Sequence, residues 1–135
     1  MAVYVADTWY LVALFDPHDN HHARAQRIDR ALSGALIATH DGIFSETLAY
    51  FSADGSSVRR RVVDFIRARQ RDQTWFVARS SDLFNRALSL YSQRPDKEYS
   101  LVDCMSMTLM RERGITHVLT NDHHFRQEGF TVVNE

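Results

Sequence analysis

The stretch VLTNDHHF, residues 118–125, decides the fold. Its first half reads as the end of a buried strand and its second half as the start of a helix, with a carboxylate, Asp122, between them. Such an acid has two readings. Asp is a favoured helix N-cap, because its side chain accepts a hydrogen bond from the orphan N–H groups of the first turn. If the strand lies in a parallel sheet, the same residue sits where open α/β sheets bind ligands, outside the carboxyl ends of the strands.

The rest of the chain favours that parallel sheet. Short β-branched or apolar runs at 2–6 (AVYVA), 35–39 (ALIAT), 74–78 (TWFVA), 116–120 (THVLT) and 130–133 (FTVV) read as strands. Helical patterns separate them: TWYLVALF at 8–15, then DNHHARAQRIDRALSG at 19–34 with Gly34 as its cap, then GIFSETLAYFSA at 42–53. VRRRVVDFIRARQR at 58–71 follows, then SDLFNRALSLYSQ at 81–93, with Ser81 or Asp82 as its cap. SLVDCMSMTLMRER runs over 100–113 and stops at Gly114, and HHFRQEG makes a last short helix. Strands separated by helices need crossovers, so the expected fold is α/β: a mostly parallel sheet with helices on both faces.

The 135 residues suit one domain, 1–135, with no linker or repeat. No apolar run approaches the ~20 residues of a membrane span. The N-terminus lacks the basic region of a secretion signal, and the single cysteine, Cys104, excludes an internal disulfide and fits a reducing cytoplasm. Net charge is −1, so charge as a whole does not point to nucleic acid. Its distribution is more informative. Of sixteen basic residues only Lys97 is a lysine, and Arg presents phosphate with a rigid bidentate fork. Arg59, Arg60, Arg61 and Arg67 gather on the 58–71 helix, whose apolar residues hold the opposite face. That helix is either an RNA-binding surface or an ordinary solvated one.

Four acids carry the chemistry. Asp7 follows the first strand as Asp122 follows the fourth, and either could instead cap the helix it precedes. Glu46 lies in a helix that reads as apolar nearly all round, hence buried, where a carboxylate is costly unless paired or metal-bound. Asp103 heads another apolar helix and forms an S-x-x-D capping box with Ser100. If the four converge on one sheet edge, their repulsion calls for a divalent cation, and all-oxygen ligands suit Mg²⁺ or Mn²⁺.

The sequence ADT at 6–8, SETL at 45–48, SLVDC at 100–104 and TNDHHF at 120–125 resemble the four acidic motifs of the PIN domain. Length and layout are similar to the VapC-type toxin ribonucleases of toxin–antitoxin pairs, over residues 3–133. The resemblance implies a three-layer α/β/α sandwich and a Mg²⁺- or Mn²⁺-dependent endoribonuclease with Asp7, Glu46, Asp103 and Asp122 as catalytic metal-site acids. It implies Thr8, Ser100 and Thr120 as supporting hydroxyls, RNA as substrate, a cognate antitoxin as partner and commonly a homodimer. Some members carry a further acid shortly after the fourth. Here Arg126 and Gln127 occupy that region and Glu128 is the nearest candidate.

The histidines of HxxHH, His18, His21 and His22, read as polar helix ends and loops. His123 and His124 read as contacts for phosphate or the antitoxin rather than as metal ligands, and Cys104 as an inert buried thiol. Three alternatives remain at this stage. One is a catalytically silent PIN fold kept as a binding module. A flavodoxin-like phospho-acceptor domain would place a Lys at a strand end, and Lys97 falls in a loop-like segment instead. A haloacid-dehalogenase-type phosphatase would carry D-x-D where this chain has Asp7, Thr8 and Trp9.

Overall fold

A computed structural model describes residues 2–135. Five strands, β1 (Val3–Ala6), β2 (Leu36–His40), β3 (Trp75–Ala78), β4 (His117–Leu119) and β5 (Thr131–Val133), form one parallel sheet in the order β3-β2-β1-β4-β5. Helices α1 (Thr8–Phe15), α2 (His22–Ala31), α3 (Asp41–Tyr50) and α4 (Ser56–Arg71) come from the first half of the chain. Helices α5 (Ser80–Gln93), α6 (Leu101–Arg113) and α7 (His124–Gln127) come from the second. The alternation of strand-like and helical periods therefore yields the expected architecture.

Two cores flank the sheet, because consecutive strand residues point to opposite faces. Val5, Ala38 and Val118 pack on one side with Leu83, Met107 and Phe125. Ala6, Ile37 and Leu119 pack on the other with Leu11, Ile43 and Val62. Strand order reverses at β1: the chain builds outward through β2 and β3, then crosses back to β4. The connections leaving β1 and β4 thus diverge, and a crevice opens at their carboxyl ends, where such sheets bind ligands.

Register then places the acids. Ala6 pairs with Leu119, so Asp7 stands level with Thr120. Its N–H donates to the Leu119 carbonyl at 3.2 Å. On the other side, Thr39 Oγ1 donates to the Ala6 carbonyl at 3.1 Å, which brings His40 to the same level.

Three local expectations change. α2 ends at Ala31 with Leu32 as its cap, and Gly34 takes its positive φ of 89° in the following turn instead. Neither Ser81 nor Asp82 caps α5. Its cap position is Arg79, and the Ser80 N–H donates to Asp41 Oδ1 from α3 at 2.8 Å. α3 is not buried all round: Ile43, Phe44 and Thr47 face the core, but Leu48 and Tyr50 are 38% and 59% exposed. By contrast, α6 is buried from Cys104 to Met110 and stops at Gly114, which adopts the left-handed conformation (φ 67°) that a side chain would strain.

Candidate metal centre

Asp7 occupies the N-cap position of α1, yet its side chain makes no capping hydrogen bond. The simple capping role therefore fails for Asp7. Its Oδ2 instead accepts a hydrogen bond from Thr120 Oγ1 at 2.6 Å, with both residues buried. The same Thr120 oxygen accepts the Asp122 N–H at 3.1 Å. One hydroxyl thus fixes the Asp7 carboxylate and the turn bearing Asp122. Asp122 Oδ1 accepts the His124 N–H at 2.9 Å, so Asp122 does support the start of α7 with one oxygen.

Glu46 sits in the second turn of α3, half-buried, and Thr8 Oγ1 donates to its Oε1 at 2.5 Å. Asp103 and Ser100 close the expected capping box: Ser100 N–H to Asp103 Oδ2 and Asp103 N–H to Ser100 Oγ, both 3.0 Å. Thr8 and Ser100 accordingly each contact one of the four acids, and Thr120 contacts two.

Asp103, Asp122 and His124 form the tightest donor group. One oxygen or nitrogen from each lies within 4.8 Å of the others. Asp7 and Glu46 stand outside that tight group and are tied to it through the charge of Asp103, which acts on both. Burial, opposed by the Thr120 hydrogen bond and reinforced by Asp103 and Glu46, pushes the Asp7 carboxyl up to about 7. Burial raises Glu46 as well, against the Thr8 hydrogen bond and with Asp103 adding to it. Asp103 is raised by burial and by Asp122, with Ser100 and His124 opposing. Partly dehydrated carboxylates that raise one another's proton affinity are the condition a divalent cation relieves. The donor set is oxygen-rich, which suits Mg²⁺ or Mn²⁺. His124 Nδ1 adds a buried nitrogen with no hydrogen-bond partner. These residues fit a divalent ion.

Sequence reasoning missed His40 altogether. It is fully buried at the end of β2, and its Nε2 lies 2.8 Å from Ser106 Oγ, one turn beyond Asp103 on α6. Burial holds its imidazole down to about 4, against the pull of Asp41, so it is neutral. Gly42 makes room for the ring, since a Cβ there would meet His40 Nδ1 at 2.8 Å. A histidine at a strand end carries no local pattern that announces a partner 66 residues away.

Glu128, the candidate for a further acid after Asp122, turns elsewhere. It accepts hydrogen bonds from Arg94 Nε at 3.0 Å, Arg111 Nη2 at 2.6 Å and the Tyr99 hydroxyl at 2.9 Å. It is a structural clamp. The HxxHH histidines are also occupied away from the site: His22 Nδ1 lies 2.7 Å from the Ala13 carbonyl, and His21 packs against Trp9. Burial, with the charge of Asp103 next, raises the Cys104 thiol to about 11, as suits an inert core residue.

The basic helix α4 carries Arg59, Arg60 and Arg61 exposed in its first turns. Exposed Arg67 lies about 10 Å further down at 1.5 Å per residue. Arg69 departs from the basic face: its guanidinium stacks on Phe65 and Trp75. A concavity of about 730 Å³, lined by Val3, Leu36, Trp75 and Ile115 among others, opens at the amino-terminal ends of the strands and contains none of the four acids.

The fold is shared with a solved structure. The chain superposes on the VapC20 toxin of Mycobacterium tuberculosis, described as cleaving the sarcin–ricin loop, with a TM-score of 0.81 and 24% identity over 99% of this chain and 100% of that one. No curated protein matches the sequence. The model of the PIN domain matches residues 4–130, which take in all four acids, and the chain belongs to the PIN domain family.

Proposed function

We propose that the protein is a divalent-metal-dependent endoribonuclease and the toxin of a type II toxin–antitoxin pair. The observation that carries this reading is the convergence of four acids on one sheet edge, with Thr120 joining Asp7 to the Asp122 turn, Asp103 raising Asp7 and Glu46, and Asp122 raising Asp103. Membership of the PIN family supports nuclease chemistry. The likeness in fold to a toxin that cleaves RNA supports RNA as substrate and a protein antitoxin as partner.

Asp7, Asp103 and Asp122 would hold Mg²⁺ or Mn²⁺, with Glu46 as a ligand directly or through water. An ion bound there would supply positive charge to the phosphoryl oxygens and lower the pKa of a water. Thr120 and Thr8 keep Asp7 and Glu46 in fixed rotamers, so the site is preorganised. Glu46, half-buried with raised proton affinity, is suited to accept a proton from the attacking water. Arg59, Arg60, Arg61 and Arg67 would hold the RNA backbone along α4.

We place the protein in the cytoplasm, where its RNA substrate is; no helix among the described residues is long and apolar enough to cross a membrane. A homodimer is supported by the exposed stripe Phe84, Leu88 and Tyr91 on α5, spaced i, i+4, i+7. A monomeric sedimentation coefficient at micromolar concentration would refute it.

The test of the main reading is cleavage of end-labelled RNA by the purified chain, freed of antitoxin, with Mg²⁺, with Mn²⁺ and with chelator. Cleavage should require the ion and fall by ~100-fold or more in Asp7→Asn with the far-UV spectrum unchanged. Wild-type rates in Asp7→Asn, or in chelator, would overturn it.

A further inference from the structure

We infer that His124 is a nitrogen ligand of the metal centre, so that the site is a mixed nitrogen–oxygen site rather than an all-carboxylate one; this rests on the metal-dependent reading above.

Three observations carry it. His124 Nδ1 lies 3.1 Å from Asp122 Oδ1 and 3.8 Å from Asp103 Oδ2. Donors bound side by side on one octahedral ion, with bonds of about 2.1 Å, stand about 3 Å apart, so the spacing suits a shared ion. The nitrogen is inaccessible to solvent, yet it has no hydrogen-bond partner. The 3.1 Å approach to Asp122 therefore lacks hydrogen-bond geometry, although both atoms would gain by forming one. A buried polar atom left without a partner is uncommon and calls for a missing one. Finally, the ring is held where it is. Its backbone N–H is bound to Asp122 Oδ1, and its ring packs edge-to-face on Tyr99 at 5.4 Å. Tyr99 is in turn fixed by Glu128. The imidazole cannot easily turn away from the two carboxylates, so its lone pair is presented to the ion position at little entropic cost.

The chemical consequence is selectivity. Imidazole is a poor donor for Mg²⁺ and a good one for first-row transition ions. The site should therefore favour Mn²⁺ over Mg²⁺ more than four carboxylates alone would.

The test uses Mn²⁺ itself, bound to the full chain without RNA. Electron spin-echo modulation on bound Mn²⁺ should show an imidazole nitrogen in the wild type and in His123→Ala. The modulation should vanish in His124→Ala, which should still bind Mn²⁺ with roughly tenfold or more weaker affinity while Mg²⁺ affinity changes much less. Nitrogen modulation that survives in His124→Ala, or Mn²⁺ bound without any nitrogen signal, would overturn the assignment of His124 and leave the carboxylate site standing. Failure of the wild type to bind Mn²⁺ or Mg²⁺ would overturn both readings. His124→Asn serves as a second variant, since it keeps a polar side chain on α7; it too should lose the nitrogen signal.

Discussion

Thr120 is a small residue with two duties. Its hydroxyl hydrogen points at Asp7 and its lone pair receives the Asp122 N–H, so removing one oxygen atom disturbs two acids together. Thr120→Val keeps the shape and β-branching that suit a strand end and deletes the hydroxyl. The Asp122 N–H and Asp7 Oδ2 would both lose a partner, and leaving buried groups unsatisfied costs on the order of 1–3 kcal/mol. With Asp7 as the proposed ligand, metal affinity should fall roughly 10–100-fold, as when other outer-shell partners are lost. Thr120→Ser should restore most of it. Calorimetric titration with Mn²⁺ separates these effects: wild-type affinity in Thr120→Val would show that the hydroxyl serves folding alone.

Between elements, the Glu128 clamp joins the end of α5, through Arg94, to the last turn of α6, through Arg111, and both to α7. Its side chain is 4% exposed. Burial alone would raise its proton affinity, but the hydrogen bonds of Arg94, Arg111 and Tyr99 overcome that and bring the carboxyl down to about 2. The folded value lies below the ordinary 4.5, so the stability it confers is complete above pH 4.5 and is lost as pH falls through 2. A shift of this size corresponds to at most about 3.4 kcal/mol, and to less once the water that reaches Arg111 is allowed for. Glu128→Gln should therefore melt lower at pH 7 and show a flatter loss of stability between pH 4.5 and 2. An unchanged acid transition in that variant would show that another group governs it. At the opposite side of the sheet, α4 offers a different test. Replacing Arg59, Arg60 and Arg61 by Gln should weaken single-stranded RNA binding and reduce the log–log salt slope by about 2, at about 0.7 per phosphate contact. Arg59 also donates to the Ser52 carbonyl at 2.8 Å, so part of its value is structural. A slope equal to wild type would return α4 to an ordinary solvated surface.

At the scale of the whole molecule, the sheet and its acid-bearing edge were legible because they follow from local pattern. Strand-like runs alternate with helical ones, and parallel topology sends their carboxyl ends to one side. What stayed hidden depends on long-range register. The α5 start is satisfied by Asp41, 39 residues earlier. His40 meets Ser106, Glu128 meets Arg94 and Arg111, and His124 turns its ring to the acids rather than to solvent. No periodicity of 2 or 3.6 encodes such pairs. The inward face of α3 was legible and its outer face was not, since Leu48 and Tyr50 look like core residues until the fold leaves them uncovered.

The same edge should also contribute to global stability. Four carboxylates brought together by folding are far apart in the unfolded chain, so their repulsion counts against the folded state alone, and a cation bound there counts in its favour alone. Mg²⁺ or Mn²⁺ at a hundredfold excess over Kd should add about 2.7 kcal/mol. For a chain of 135 residues that is a rise in Tm on the order of 10 °C. Asp122→Asn isolates the cause. Asn can still accept the His124 N–H with its carbonyl oxygen, so the turn before α7 survives, and neutralising the side chain relieves Asp103 of a like charge. The metal-free variant should melt at or above the metal-free wild type, yet gain little when metal is added. Were Asp122 only a support for the turn, Asn would serve about as well and both proteins would respond alike to metal. Melting curves in chelator and in millimolar Mg²⁺ decide the matter: an equal metal-induced rise in the two would falsify the ligand role of Asp122.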